Sequence, residues 1–191
     1  PEMMWIKRRA NTSGGGSSNW MVYHKDFPQT YSYAYLNTSA AVDSTQTNTW
    51  PSAPTETQFT VGSWTGDFIG SGDTGMVLLF ASVAGVCKIG SYTGDGTTDG
   101  SKVIDCGFSN GAKFVLIKRA DTAGNWVLMD SVRGISSFND PYIYLNNSPG
   151  FAPGSTADFI EPNSSGFAIA SNVSDINALD GSYIFYAIAA S

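Results

Sequence analysis

One series of short blocks occurs twice in this chain, in the same order. Met4-Trp5-Ile6-Lys7-Arg8 is matched by Val115-Leu116-Ile117-Lys118-Arg119, and Asn19-Trp20-Met21-Val22 by Asn125-Trp126-Val127-Leu128. Tyr33-Ala34-Tyr35-Leu36-Asn37 is matched by Tyr142-Ile143-Tyr144-Leu145-Asn146. The Gly72-Asp73 turn leading into Met76 to Ala81 has its counterpart in Asp180-Gly181 leading into Tyr183 to Ile188. A repeat constrains a fold more than any composition does, because like blocks in one order must build like sets of elements. The second copy also has an opening, Gly90-Ser91-Tyr92-Thr93-Gly94-Asp95-Gly96 and Val103-Ile104-Asp105-Cys106-Gly107-Phe108, that is not matched ahead of Met4. The first copy therefore reads as truncated at Pro1, and the chain as a piece of a longer polypeptide.

The blocks have the character of strands. Tyr31-Ser32-Tyr33-Ala34-Tyr35 alternates with period two, as does Phe59-Thr60-Val61 over a shorter span, which is the pattern of a half-buried strand. Met3 to Ile6, Phe114 to Ile117 and Tyr183 to Ile188 are continuous apolar runs, expected where a strand is covered on both sides. Clusters of Gly, Ser, Asn and Asp separate the runs, and no window keeps a helical period between caps. With 42% hydrophobic and 13% aromatic residues, 191 residues can fill a packed core. The expectation is an all-β, antiparallel β-sandwich of short strands, built from half-repeats 1–84 and 85–191; two small sandwiches with the same boundary are the alternative.

Charge excludes some roles. A formal net charge of −6 with only ten Lys and Arg argues against the broad basic surface that nucleic-acid binding requires. The longest apolar stretch, around Met76 to Ala84, is too short for a membrane-spanning helix, so membrane insertion is not expected. Cys87 and Cys106 are the only thiols and His24 the only imidazole, too few ligands for a structural zinc. The two cysteines read as small buried side chains or as a disulfide, which spacing does not decide.

No catalytic set stands out, and no enzyme is expected. Glu2, Glu56 and Glu161 are the only glutamates and lie far apart, whereas glycoside hydrolysis needs paired carboxyl groups. A serine triad would have to use His24 beside Asp26, without a nucleophile elbow; the plainer reading is a solvent-exposed histidine at a strand end. Asp95-Gly96-Thr97-Thr98-Asp99-Gly100 could bring the Asp95 and Asp99 carboxylates to a calcium ion, or could be a hairpin loop using Asp and Gly for turn geometry. No other cofactor is expected. Trp5, Trp20 and Trp126 fall on matched strands and read as core. Trp50 and Trp64 have no partner in the other copy, and the segment after Phe159 that matches Trp64 has no aromatic residue. Trp50, Trp64 and Asp67 are therefore the candidate ligand-binding residues, with an indole stacked on a sugar or a neighbouring subunit, or folded back over the sandwich edge.

The blocks resemble tandem modules of marine tailed-phage virion proteins, tail fibres among them, that are related to concanavalin A-like or laminin-G-like jelly rolls. The resemblance rests on Trp5-Ile6-Lys7-Arg8-Arg9, Asn19-Trp20-Met21-Val22-Tyr23-His24 and Tyr35-Leu36-Asn37-Thr38-Ser39-Ala40-Ala41 in the first copy. In the second it rests on Gly90 to Gly96, on Asp105-Cys106-Gly107-Phe108 running into Phe114 to Arg119, then on Trp126 and Asp130 to Gly134, so nearly the whole chain is covered. Two departures are visible: Ser109-Asn110-Gly111-Ala112 replaces a proline-containing turn, and Trp64 replaces a small polar residue. The resemblance implies a concanavalin A-like jelly-roll sandwich located on a virion assembled in the host cytoplasm. It implies host recognition as an adhesin or tail-fibre module binding a cell-surface glycan or receptor; the alternative is a structural decoration or connector of the capsid or tail, with other virion proteins as its partners. A homo-oligomer, by analogy with trimeric fibres, is the corresponding expectation. The resemblance carries no catalytic residues, and fold likeness alone does not fix function.

Overall fold

The structure, a computed structural model, describes residues 1–10, 19–62, 72–147, 151–152 and 157–191. All regular elements among them are strands, and every named pairing is antiparallel. The chain divides into two compact units, Pro1–Ala81 and Ser82–Ser191. The division falls before residue 82 rather than at 84/85. Val83 bridges Cys87, and the amide of Ala189 donates to the Val86 carbonyl, so the connecting residues already belong to the second unit's hydrogen bonding.

The first unit holds one four-stranded sheet. Its strands are β1 (Met3–Ala10), β2 (Trp20–His24), β3 (Ala34–Tyr35) and β4 (Thr74–Phe80), in the order β3-β2-β1-β4. On one face Met4, Ile6, Met21, Tyr23 and Tyr33 gather around Trp50, with Tyr35, Phe59 and Val77 at the margin. The segment that brings Trp50 there is not a strand.

The second unit has two sheets. The larger is built from β5 (Cys87–Thr93), β7 (Ala112–Arg119), β8 (Trp126–Asp130), β9 (Tyr142–Tyr144), β10 (Phe151–Ala152) and β13 (Ser182–Ala189), in the order β10-β9-β8-β7-β13-β5. The smaller contains β6 (Lys102–Asp105), β11 (Ile160–Asn163) and β12 (Gly166–Ile169), in the order β11-β12-β6. Val115, Ile117, Val127, Met129 and Phe185 of the first share one core with Ile104, Ile160, Phe167 and Ile169 of the second. Phe167 meets Phe185 edge to face at 5.6 Å, a favourable aromatic geometry that fixes how the layers interdigitate. Two antiparallel sheets over a shared apolar core make a β-sandwich.

The repeat in the sequence is a repeat of register. Ile6 lies opposite Met21 and Val77, as Ile117 lies opposite Val127 and Phe185. Met21 then faces Tyr35, as Val127 faces Tyr144. The order β3-β2-β1-β4 is thus the order β9-β8-β7-β13 again. Ile6 and Ile117 are both inaccessible and sit in the core clusters of their own units. Even the turns correspond, since Gly72 and Asp180 both have positive φ, 83° and 59°. The left-handed region is nearly free for glycine and tolerable for aspartate.

Candidate functional site

The structure moves one candidate ligand-binding residue away from the surface. Trp50 is 1% exposed; its Nε1 donates to the Ser32 carbonyl at 3.1 Å, and its ring meets Tyr23 edge to face at 5.6 Å. Of the two readings of this indole, the stacked contact gives way to the folded-back one, with Trp50 a core plug over the first unit's sheet. Gly62 secures that segment: its amide donates to the Thr49 carbonyl, and a Cβ there would lie 1.4 Å from the Asn48 oxygen. Trp64 and Asp67 lie outside the described residues.

Asp95 and Asp99 serve separate turns. Asp95 Oδ1 accepts from the Thr97 amide, the Thr97 hydroxyl and Asn177 Nδ2 at 2.7–3.0 Å, while Oδ2 lies 3.4 Å from Lys102 Nζ. The Asn177 amide, the Thr97 donors and Lys102 hold the Asp95 carboxyl far below the ordinary carboxylate range. Asp99 Oδ1 accepts from the Ser101 amide at 3.0 Å. Asp95 is thus engaged by its own turn, by Asn177 and by Lys102, and Asp99 by the turn at Ser101. Among the described residues no group of three or more His, Cys, Asp or Glu could hold a metal ion.

Other expectations also shift. His24 is buried rather than solvent-exposed: its Nδ1 accepts from the Asp26 amide at 3.2 Å and its ring packs 5.7 Å from Phe27. Trp126 is core, whereas Trp5 and Trp20 are half-buried and Lys7 lies 5.9 Å from the Trp20 ring centre. Cys87 and Cys106 are free thiols, and burial pushes that of Cys106 up to about 12. A thiol so disfavoured as thiolate is a poor nucleophile.

Two concavities of the second unit were not anticipated. On the outer face of β7, β8 and β9, Phe114, Leu128 and Ile143 form the floor of an open groove of about 620 Å³, with Ile188 of β13 beside them. Lys113, Asp130 and Arg133 edge it. The Asp130 carboxylate accepts from the Val132 and Arg133 amides and pairs with the Arg133 guanidinium, which fixes the loop after β8. That loop leaves Val132 94% and Phe138 78% exposed. The run Phe114 to Ile117 announces this floor, since every residue is apolar and the even-numbered ones must face away from the core.

The other concavity, about 250 Å³, is lined by Asn110, Ser131, Asn163 and Ser164 together with Ile135 and Pro162. Its wall is held by the Gly111 amide donating to the Ser164 carbonyl and by Asn163 Oδ1 accepting from the Ser165 amide and hydroxyl. Elsewhere Lys118, fully buried, donates from Nζ to the Gly124 carbonyl at 2.9 Å. Burial lowers its ammonium to about 8, against the attraction of Asp175 and Asp121. Asp140 is buried where its Oδ2 accepts from the Phe159 and Ile160 amides at 2.8 and 2.9 Å. Burial raises its carboxyl despite those donors. Both groups anchor backbone and neither opens onto a concavity described above.

With this geometry in hand, the comparison with known families is decisive at one level. A family profile described as "Domain of unknown function (DUF7483)" matches residues 1–191. The chain belongs to the DUF7483 family. No curated protein and no solved structure matches this DUF7483 chain.

Proposed function

We propose that this DUF7483 chain is a non-catalytic binding module of a tailed-phage particle, with a concanavalin A-like jelly-roll sandwich, that engages a protein partner on the outer face of β7, β8 and β9. The groove floored by Phe114, Leu128 and Ile143 carries this reading. It is apolar, open and edged by charges of both signs, with the exposed Val132 beside it. Apolar surface ringed by polar groups is what protein interfaces use. Placement on a virion rests on the resemblance of the repeated blocks. The partner in this reading is a host receptor protein or another virion protein.

Val132→Asp tests it, because a residue so exposed contributes little to folding and the change should alter stability by less than about 0.5 kcal/mol. Adsorption of the purified chain to host cells, or its incorporation into particles, should fall at least tenfold. Unchanged values for both would remove the groove from the interface.

The smaller concavity favours a second reading, host-glycan recognition. Amide and hydroxyl groups beside the apolar Pro162 and Ile135 suit a sugar's alternating polar and apolar faces. Asn110→Ala should then weaken binding to host polysaccharide while leaving contacts made through Val132 intact.

A further inference from the structure

The smaller concavity of the second unit combines fixed walls with uncommitted side chains. Its walls are tied backbone to backbone. The Gly111 amide donates to the Ser164 carbonyl, the Cys106 and Phe108 amides share the Ser165 carbonyl, and the Ser131 amide donates to the Lys113 carbonyl. Gly111 has a φ of 77°, and a Cβ there would lie 2.8 Å from the Asn163 carbonyl oxygen, so the loop before β7 closes directly on the β11–β12 turn.

Asn110, Ser131, Asn163 and Ser164 line the space between these walls. Among the described residues, the Asn110 amide and the Ser131 and Ser164 hydroxyls have no hydrogen-bond partner. Asn163 is used on one side alone: Oδ1 accepts from the Ser165 amide and hydroxyl, which fixes the side chain and leaves Nδ2 to donate. Groups of this kind exchange water for a ligand hydroxyl at little cost, because a hydroxyl both donates and accepts. No ionisable side chain lines the concavity, and Ile135 and Pro162 add a small apolar patch. Lys113 and Arg133 edge the apolar groove instead.

We propose that this concavity binds one neutral pyranose unit of a glycan through adjacent hydroxyls; the inference rests on the glycan reading given above and names the sugar class. The Asn110 amide presents a donor and an acceptor side by side, which matches two vicinal hydroxyls. A bound carboxylate or phosphate would lose hydration with no cation to receive it, which disfavours uronic, sialic and phosphorylated sugars. At about 250 Å³ the space is smaller than the roughly 300–1,000 Å³ of sites for drug-sized ligands, so it takes one ring. A large apolar side chain of a peptide would cover the amides and hydroxyls without bonding them. A sugar ring instead offers them hydroxyls and sets its C–H face on Ile135 and Pro162.

The probes are the methyl glycosides of glucose, galactose and mannose, with the corresponding uronates as charged counterparts, each added to the full chain. Saturation-transfer NMR should show at least one neutral glycoside bound, and backbone amide shifts should move at residues 110–112, 131–135 and 162–165. Asn110→Ala, which removes a side chain with no hydrogen bond to lose, should weaken that binding at least tenfold with melting unchanged. Asn163→Asp keeps Oδ1 for the Ser165 turn, removes the Nδ2 donor and adds a charge, and should weaken it as much. The uronate of the bound sugar should bind at least tenfold more weakly than the neutral form. If the uronate binds equally well at these residues, the neutral-sugar inference falls while the glycan reading stands. If no glycoside binds, if binding ignores both substitutions, or if the shifts lie at other residues, both fall.

Discussion

The two units build one ladder and finish it differently. Asn37 Oδ1 accepts from the Trp20 amide at 2.8 Å while its Nδ2 donates to Asn19; Asn146 does the same for Trp126 and Asn125, at 2.7 Å to the amide. The Leu36 and Leu145 amides donate to the carbonyls of those two tryptophans. Above the ladder, however, the second unit places a three-stranded sheet, whereas the first lays down a segment with Trp50 as its plug. The comparison separates what a strand register needs from what a core needs. Register is fixed by local pairs and polar clamps, and the covering layer can be a sheet or one large indole, provided apolar volume is supplied.

The largest effect should come from removing the plug. Trp50→Ala should cost about 3–5 kcal/mol through lost burial and a cavity. Denaturant unfolding followed by amide exchange should show the loss concentrated in residues 1–62 with the second unit's strands still protected. Equal loss in both units would mean that their cores are energetically one.

Ile6→Ala and Ile117→Ala compare the same rung of the ladder under two kinds of cover. Each should cost about 2–4 kcal/mol, with Ile117 at the upper end because it is packed between two sheets. Chemical denaturation of the two variants side by side checks the order.

Lys118 and Lys7 occupy equivalent positions, yet only Lys118 is fully buried. Its folded-state value, about 8, lies below its ordinary 10.5. Between those values the unfolded chain binds the extra proton, so stability should increase with pH through that window, by about 3 kcal/mol. Lys118→Met should flatten the pH dependence between 8 and 10, as measured by denaturant unfolding across that range. An unaltered slope in Lys118→Met would show that another group is responsible.

The smallest contrast is in the clamps. Asn146 is half-buried and Asn37 exposed, so Asn146→Ala should cost about 1–2 kcal/mol and Asn37→Ala about 0.5–1. Thermal melts of the two variants suffice to rank them.

Much of the ladder was legible in the sequence. The matched blocks Met4 to Arg8 and Val115 to Arg119 set which strands correspond, and Asn37 and Asn146 stood in the same block positions. The site was less legible. Trp50 looked available because Pro51, Ser52 and Pro54 follow it and nothing in the other copy matches it, but an unmatched aromatic can equally fill a hole that the other copy fills with strands. His24 looked exposed because it stands at a strand end. In fact the imidazole is buried against Phe27 and takes the Asp26 amide, a contact local to the first unit.

By itself, the sequence determined the antiparallel strands, their repeated order and the apolar residues that face inward, since these follow from side-chain period and turn chemistry within a few residues. Only the tertiary structure decided which apolar faces are covered and which polar groups are already taken. Exposure of Leu79, the half-burial of Phe114, burial of Trp50, and the commitment of Asp95 to Asn177 depend on neighbours distant in the chain. Burial is a property of those long-range contacts and cannot be read from the residue that undergoes it.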